Sequence, residues 1–139
     1  MKQVNDKLWI ASQPSDADLE KARARGIATI VNNRPQGEEA SQPAVAGQKA
    51  LAWKLGMSYA HIPVLPGGID RAKVRLFQAA IANSPGPVLA HCRSGMRSMM
   101  LWAIGEVMDG RLEPQDLDAV GRQVGIDLSG ARNWLAANA

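Results

Sequence analysis

Cys92, the only cysteine of the chain, opens the segment "CRSGMRS", whose residue types suit nucleophilic chemistry on an anion. The apolar run "PVLA" precedes His91, and Arg93 and Arg97 follow the cysteine. A tight loop between a strand end and a helix start directs successive backbone N–H groups inward, and the helix adds its positive end. Because these dipoles and cations favour a thiolate, the segment predicts a reactive sulfur facing an anion-sized cradle.

Three side chains of this segment are candidate catalytic groups. Cys92 is the expected nucleophile, and the planar fork of Arg97 can hold an anionic substrate. Ser98 is expected to donate a hydrogen bond to the sulfur or to steady a leaving thiolate. Gly95 can adopt the left-handed conformation that closes a small ring of amides.

The alternative reading of Cys92 is a small core residue, which is the commoner role of a cysteine after a buried strand. The Arg-Ser-Gly that follows is not typical of a core, and this favours the catalytic interpretation. His91 is expected to support the loop rather than carry protons, and His61 is expected to be structural. Two separated histidines and one cysteine make a poor metal site, so neither a metal nor another cofactor is predicted.

The elements around this segment alternate between short apolar strands and helices. Strands are predicted at 7–12, 27–33, 58–64 and 88–91. Helices are predicted at 15–26, 43–56, 69–84 and 98–110, with two more in 111–139, the last capped by Ser129. This order indicates a three-layer α/β fold with a mainly parallel sheet of four to five strands. Cys92 would then lie at the carboxyl edge of the sheet, where such folds bind ligands.

Composition narrows the function classes. A length of 139 residues is typical of one domain spanning the chain. The net charge of +3 comes from basic residues interleaved with acidic ones. Aromatic residues are only 4% of the chain, so a nucleic-acid partner is not predicted. The run "MMLWAI" is too short to cross a membrane, and the N-terminus lacks the apolar run of a signal peptide. A single cysteine fits a reducing cytoplasm.

The segment "HCRSGMRS" resembles two known catalytic loops. One is the signature of protein tyrosine and dual-specificity phosphatases, with five residues between cysteine and arginine. The other is the rhodanese loop, with four residues, and the spacing from Cys92 to Arg97 matches this shorter form. The segments "QPSDADLEKARARGIATIVNNRPQGEE", "GMSYAHIPV" and "GPVLAHCRSGMRS", in this order, further resemble the bacterial phosphatase-like family also called beta-lactamase-hydrolase-like.

This resemblance covers residues 1 to about 108 and leaves 111–139 as a helical extension without a match. It implies a compact fold like that of dual-specificity phosphatases, with Cys92 as nucleophile and Arg97 as anion ligand. The backbone donors would come from Arg93, Ser94, Gly95 and Met96. In some proteins of the family the domain is fused to a persulfide dioxygenase, which implies a functional link to such an enzyme.

Further pocket residues are expected on the segments that end at the same sheet edge. The segment "NNRPQGEE" follows the second predicted strand, so Asn33, Arg34 and Glu38 could line the pocket, although a solvated loop is the alternative. Gln13 and Pro14 follow the first predicted strand and have weaker support.

Two enzyme functions follow, and the sequence favours sulfur transfer over phosphatase activity. A Cys92 persulfide would carry sulfur from a small anionic donor to a thiol acceptor, and this needs no strong general acid. A phosphatase would act on a phosphoester and needs an acid, which related phosphatases place where this chain has Leu65 and Pro66. Asp70 is a weak substitute, since its position suggests a helix start. A third possibility is an anion-binding or redox-sensing module without turnover.

Overall fold

Five strands form one sheet in this computed structural model, which describes residues 1–139. They are β1 (Lys2–Gln3), β2 (Leu8–Ala11), β3 (Thr29–Asn32), β4 (Ser58–His61) and β5 (Val88–His91). Their spatial order is β1-β2-β5-β3-β4, and only the pairing of β1 with β2 is antiparallel. The predicted mainly parallel sheet is confirmed. The short β1 was not predicted because its two residues are polar and exposed.

Six α-helices surround the sheet. They are α1 (Asp16–Ala24), α2 (Val45–Lys54), α3 (Arg71–Asn83), α4 (Met96–Met108), α5 (Leu117–Val124) and α6 (Ser129–Ala137). A short 3₁₀ turn, Pro114–Asp116, leads into α5. None of these helices combines the length and apolarity needed to cross a bilayer.

Alternate residues of the central strands point to opposite faces of the sheet, as the period of a strand requires. Ile30 and Leu89 join a cluster with Leu19 and Ala22 of α1 and Ala52 of α2. On the other face, strand residues of β2, β3 and β5 join a cluster with α3 and α4, to which α5 and α6 contribute Leu117, Val124 and Ala131. Residues 111–139 therefore share the core of the sheet.

The predicted starts of α6 and α4 are late by one and two residues. Ser129 does not cap α6, because the N-cap is Leu128 and the Ser129 backbone N–H donates to Asp127 Oδ1 at 2.8 Å. Helix α4 begins at Met96 rather than Ser98, with Gly95 as N-cap in a left-handed conformation. Glycine has no side chain that could cap a helix, so no polar cap residue marks this start. By contrast, Ser15 caps α1 as predicted and forms a capping box with Asp18.

The strand register brings the predicted site segments to one edge. His91 of β5 lies opposite Ala11 of β2 on one side and Asn32 of β3 on the other. Asn32 in turn lies opposite His61 of β4. Because all four strands run in parallel, the residue after each of them emerges at the same carboxyl edge. Cys92 therefore emerges next to Asn33, as the sequence predicts.

Candidate active site

The sulfur of Cys92 lies in a short ring closed by Gly95. The Gly95 backbone N–H donates to Cys92 Sγ at 3.0 Å, and Gly95 has a φ of 94°. A Cβ at Gly95 would lie 3.0 Å from Ile10 Cγ2 and 3.3 Å from the Ala11 carbonyl oxygen. Only glycine fits this position, both for its backbone conformation and for its close approach to β2. We call residues 92–97 the anion loop.

Cys92 is buried, with 0% of its surface exposed, yet it belongs to neither hydrophobic cluster. Its side chain accepts a hydrogen bond from Gly95, which holds the sulfur within the anion loop. Since no part of Cys92 is exposed, a substrate can contact the sulfur only when the structure around it shifts.

Arg97 lies in the first turn of α4, and its guanidinium is held on two sides. Its Nη1 and Nη2 donate to the two carboxylate oxygens of Glu38 at 2.8 and 2.9 Å, and Nη1 also donates to the Val64 carbonyl at 2.7 Å. A guanidinium has five N–H groups, so these bonds leave Nε–H and one Nη2–H on a single edge. Hydrogen bonding to Glu38 and the nearby Cys92 raise the pKa of Arg97. This free edge can donate two parallel hydrogen bonds to an oxyanion.

Glu38 serves as the anchor of this arginine and not as an acid. Besides Arg97, Glu38 Oε1 accepts a hydrogen bond from Arg34 Nε at 3.0 Å. The hydrogen bonds from Arg97 and then Arg34 lower the pKa of Glu38 to about 2, despite its burial. The carboxylate is therefore ionised at neutral pH and has no proton to donate to a leaving group.

Arg34 forms a second layer behind Glu38. Its side chain is 3% exposed, and its Nη1 donates to Gln13 Oε1 at 3.1 Å. Its backbone N–H donates to Asn32 Oδ1, and its carbonyl accepts from His61 Nε2 at 2.8 Å. Arg34 thus ties the loop after β3 to the loop after β2 and holds Glu38 toward Arg97, while its own side chain has little contact with solvent.

The predicted supporting role of His91 has a structural basis in a buried polar network. Gln48 Nε2 donates to His91 Nε2 at 2.8 Å, which leaves the ring proton on Nδ1, 3.4 Å from the Cys92 carbonyl oxygen. Gln48 Oε1 accepts hydrogen bonds from Tyr59 and Asn32, which fixes the orientation of the amide and disfavours a flip of its oxygen and nitrogen. Burial lowers the pKa of His91 to about 4. The imidazole is therefore neutral at pH 7 and orients the backbone of Cys92.

This buried histidine makes the fold sensitive to mild acid. Its pKa is lowered from 6.5, so between pH 6.5 and 4 the unfolded chain binds a proton that the folded chain does not. We expect unfolding free energy to fall by about 2 kcal/mol more in wild type than in His91→Asn between pH 7 and 5. Urea denaturation at both pH values measures the difference. Equal slopes in wild type and His91→Asn would contradict the assignment.

The prediction that Ser98 bonds to the sulfur is not met in the structure. Its hydroxyl donates its single hydrogen to Asn33 Oδ1 at 2.7 Å, and both side chains are buried. Asn33 Nδ2 also donates to the Ile62 carbonyl, so this pair joins α4 to the loops after β3 and β4. Because Ser98 and Asn33 are buried and hydrogen-bonded within the chain, they support the anion loop and do not line a pocket.

Other predicted site residues lie toward solvent. Arg93 is 67% exposed and pairs with Glu39 through Nε, so its side chain points away from the sulfur. Ser94 and Met96 are also exposed, and the Met96 N–H donates to Ser94 Oγ at 3.3 Å. Asp70 is the N-cap of α3 and accepts from the Lys73 N–H at 2.8 Å, which is the structural role that competes with acid catalysis.

Sequence reasoning missed three contributors to the site: Gln48, Tyr59 and Val64. Gln48 offered a usable signal, because it lies four residues before buried Ala52 on α2 and so shares the core face of that helix. A glutamine on a core face needs buried hydrogen-bond partners. The Val64 carbonyl could not be anticipated, since its role depends on where the backbone after β4 turns. No group of three or more His, Cys, Asp or Glu side chains is arranged to hold a metal ion.

The sequence matches a known family over most of its length. Residues 1–109 match the family described as "Beta-lactamase hydrolase-like protein, phosphatase-like domain". The beta-lactamase hydrolase-like protein of Agrobacterium fabrum is 42% identical over 132 residues, which are 95% of this chain and 31% of that protein. The chain thus spans about a third of the length of the curated relatives it matches.

Solved structures place the fold among phosphatases. A candidate phosphatase from Neisseria meningitidis Z2491 is 32% identical, with a TM-score of 0.88 over 96% of this chain and 94% of that chain. A cysteine-to-serine variant of Pseudomonas aeruginosa TpbA, in complex with pTyr, has a TM-score of 0.62 at 19% identity and covers 94% of this chain and 86% of that one. The second likeness concerns the fold alone. The fold is that of protein tyrosine and dual-specificity phosphatases, as expected.

Proposed function

We propose that this chain, which belongs to the family of phosphatase-like domains of beta-lactamase hydrolase-like proteins, is a cysteine-dependent phosphatase acting on phosphate monoesters. The proposal depends chiefly on the free edge of Arg97, which the bidentate pairing with Glu38 holds beside Cys92. Two parallel N–H groups on a fixed guanidinium match two oxygens of a phosphoryl group. The fold, shared with cysteine phosphatases, supports the same reaction class.

The reaction proceeds in two displacements. The Cys92 thiolate attacks phosphorus, so that a P–S bond forms while the bond from phosphorus to the ester oxygen breaks and the alcohol leaves as its oxyanion. Arg97 and the N-terminal amides of α4 stabilise the charge on the phosphoryl oxygens. Water then attacks phosphorus, the P–S bond breaks, and inorganic phosphate leaves with the thiolate regenerated.

The side chains around the loop suggest that the leaving group departs without a protein acid. Glu38 is ionised, and Asp70 is committed to its helix cap. A positioned acid is worth about 10²–10⁴-fold, so we expect phosphates of acidic phenols to be hydrolysed faster than alkyl phosphates by a comparable factor. Steady-state kinetics with p-nitrophenyl phosphate and glycerol phosphate measure this ratio.

The control for this prediction is Asp70→Asn, because asparagine also caps helices and the fold should be kept. Both rates should stay within about twofold of wild type in this variant, since it changes no hydrogen bond of the anion loop. A selective loss of alkyl phosphate hydrolysis would instead make Asp70 the general acid.

Sulfur transfer is the second candidate, because this reaction needs no general acid and the four-residue spacing from Cys92 to Arg97 matches the rhodanese form. One experiment separates the two functions. Intact-mass spectrometry after brief exposure to p-nitrophenyl phosphate should show one added phosphoryl group, and exposure to thiosulfate should show no added sulfur. Addition of sulfur alone would replace the phosphatase proposal with sulfur transfer and its associated persulfide chemistry; absence of both adducts and of turnover would favour an anion-binding module.

A further inference from the structure

A groove of about 430 Å³ begins at the proposed catalytic arginine. It lies between α4, α6 and the turn that leads into α3, and Arg97 lines it together with Ile69, Met100 and Trp134. Arg97 and Met100 are three residues apart and so share one face of α4. The same side chain that offers its free edge to a phosphoryl group therefore also borders this largely apolar space.

Trp134 forms a fixed wall of the groove. Its indole Nε1–H donates to the Ile69 carbonyl at 2.9 Å, and its ring packs against the larger hydrophobic cluster. Because both the polar and the apolar parts of the side chain are held, the ring plane is set before any ligand binds. A fixed aromatic wall favours flat apolar ligands.

Gly130 keeps the groove open where α6 approaches α4. A Cβ at this position would lie 3.0 Å from Met100 Cε and 3.4 Å from its sulfur. Any side chain here would push the methionine end aside and narrow the space. Met100 is unbranched and flexible, so it can adjust to ligands of different outline.

The size of the groove indicates more than one aromatic ring. An enclosed apolar cavity of about 150 Å³ holds a benzene molecule. The groove is nearly three times larger and has an open side, which leaves room for a fused or linked pair of rings. Asn133, exposed on α6, adds a polar group at its rim.

We infer that this groove is the leaving-group subsite and selects phosphate monoesters of fused or linked aromatic alcohols, with Trp134 as the specificity-determining residue. The inference rests on the proposed phosphatase function. In-line attack by Cys92 requires the ester oxygen to lie on the side of phosphorus opposite the sulfur. The groove that Arg97 borders is the space in which we place the alcohol part of the substrate.

The test compares kcat/KM for 2-naphthyl phosphate and phenyl phosphate, whose leaving phenols are of similar acidity. Burial of the second ring should give wild type a ratio of about tenfold. In Trp134→Ala the ratio should fall to about twofold or less, while competitive inhibition by inorganic phosphate is retained because the anion loop is unchanged. Trp53→Ala is the matched control, because Trp53 is 60% exposed on α2 and outside the groove.

Gly130→Ala provides a second variant in case Trp134→Ala fails to fold. Alanine is the better helix former and adds one methyl against Met100, so the ratio should fall. Competitive inhibition by inorganic phosphate should stay close to wild type, because Gly130 lies outside the anion loop. A wild-type ratio near one, or an unchanged ratio in the groove variants, would overturn the subsite and leave the phosphatase function intact. Failure of wild type to hydrolyse either ester would overturn the proposed function and the subsite with it.

Discussion

Cys92→Ser is expected to lower kcat for p-nitrophenyl phosphate by about 10⁴-fold or more, because removal of a covalent nucleophile leaves only the contributions of binding and electrostatic stabilisation. Serine is nearly the same size, and its hydroxyl can still accept the Gly95 N–H bond. The hydroxyl is far less nucleophilic than a thiolate without a general base beside it. Stopped-flow or discontinuous phosphate-release assays cover the required range.

The variant also tests whether binding and chemistry are separable. Titration calorimetry with inorganic phosphate should show binding within about threefold of wild type, since Arg97 and the loop amides remain in place. Phosphate release at a substantial fraction of the wild-type rate would show that another group attacks phosphorus. In that case the central assignment of Cys92 would be wrong.

The second large effect is expected at Arg97. Arg97→Ala should lower kcat/KM by about 10³-fold, because removal of a preorganised donor to a developing oxyanion typically costs about 10²–10³ and the arginine supplies two. Arg97→Lys should be nearly as impaired, since an ammonium keeps the charge but not the fork. The fold should survive, because Glu38 retains its hydrogen bond from Arg34.

Arg93→Ala is the matched control, since it removes the other arginine of the anion loop. Arg93 is exposed and pairs with Glu39, so its loss should change kcat/KM by about threefold or less. Steady-state kinetics together with thermal melting curves separate loss of function from loss of fold. If Arg93→Ala were as damaging as Arg97→Ala, the anion would be held by the outer and not the inner guanidinium.

The sequence was sufficient to predict the sheet and the position of Cys92 at its carboxyl edge. Apolar β-branched strands and polar turn residues are local features, and a right-handed parallel arrangement then brings the residues after β3 and β5 to one edge. The left-handed Gly95 could be anticipated for the same reason, since a short loop before a helix demands it. These parts of the site follow from local pattern and general topology.

The partners of individual side chains could not be predicted in this way. Glu38 and Arg97 are separated by 59 positions, and nothing in either segment specifies that the carboxylate anchors the arginine instead of lining a pocket. Ser98 does not bond to the sulfur as predicted: its helix begins two residues earlier than expected, and its hydroxyl donates to Asn33. Side-chain direction at a helix start changes by about 100° per residue, so a small boundary error redirects a functional group.

Trp134 illustrates a different limit. Along the sequence it is one apolar residue in a C-terminal helix, and its contact with the proposed site exists only because α6 packs on α4. Three of the seven residues that line the groove, Gly130, Asn133 and Trp134, lie beyond residue 109, where the match to the family model ends.

The complete burial of the sulfur also bears on how long such a catalyst would survive. Peroxides and alkylating agents must contact a thiol to modify it. A sulfenic acid can be recovered when a second thiol converts it to a reducible disulfide, and this chain has no second cysteine to do so. Burial is therefore the protection that this cysteine has against oxidation. Inactivation by hydrogen peroxide can proceed no faster than the loop exposes the sulfur. Phosphate bound at the anion loop should slow that inactivation as well.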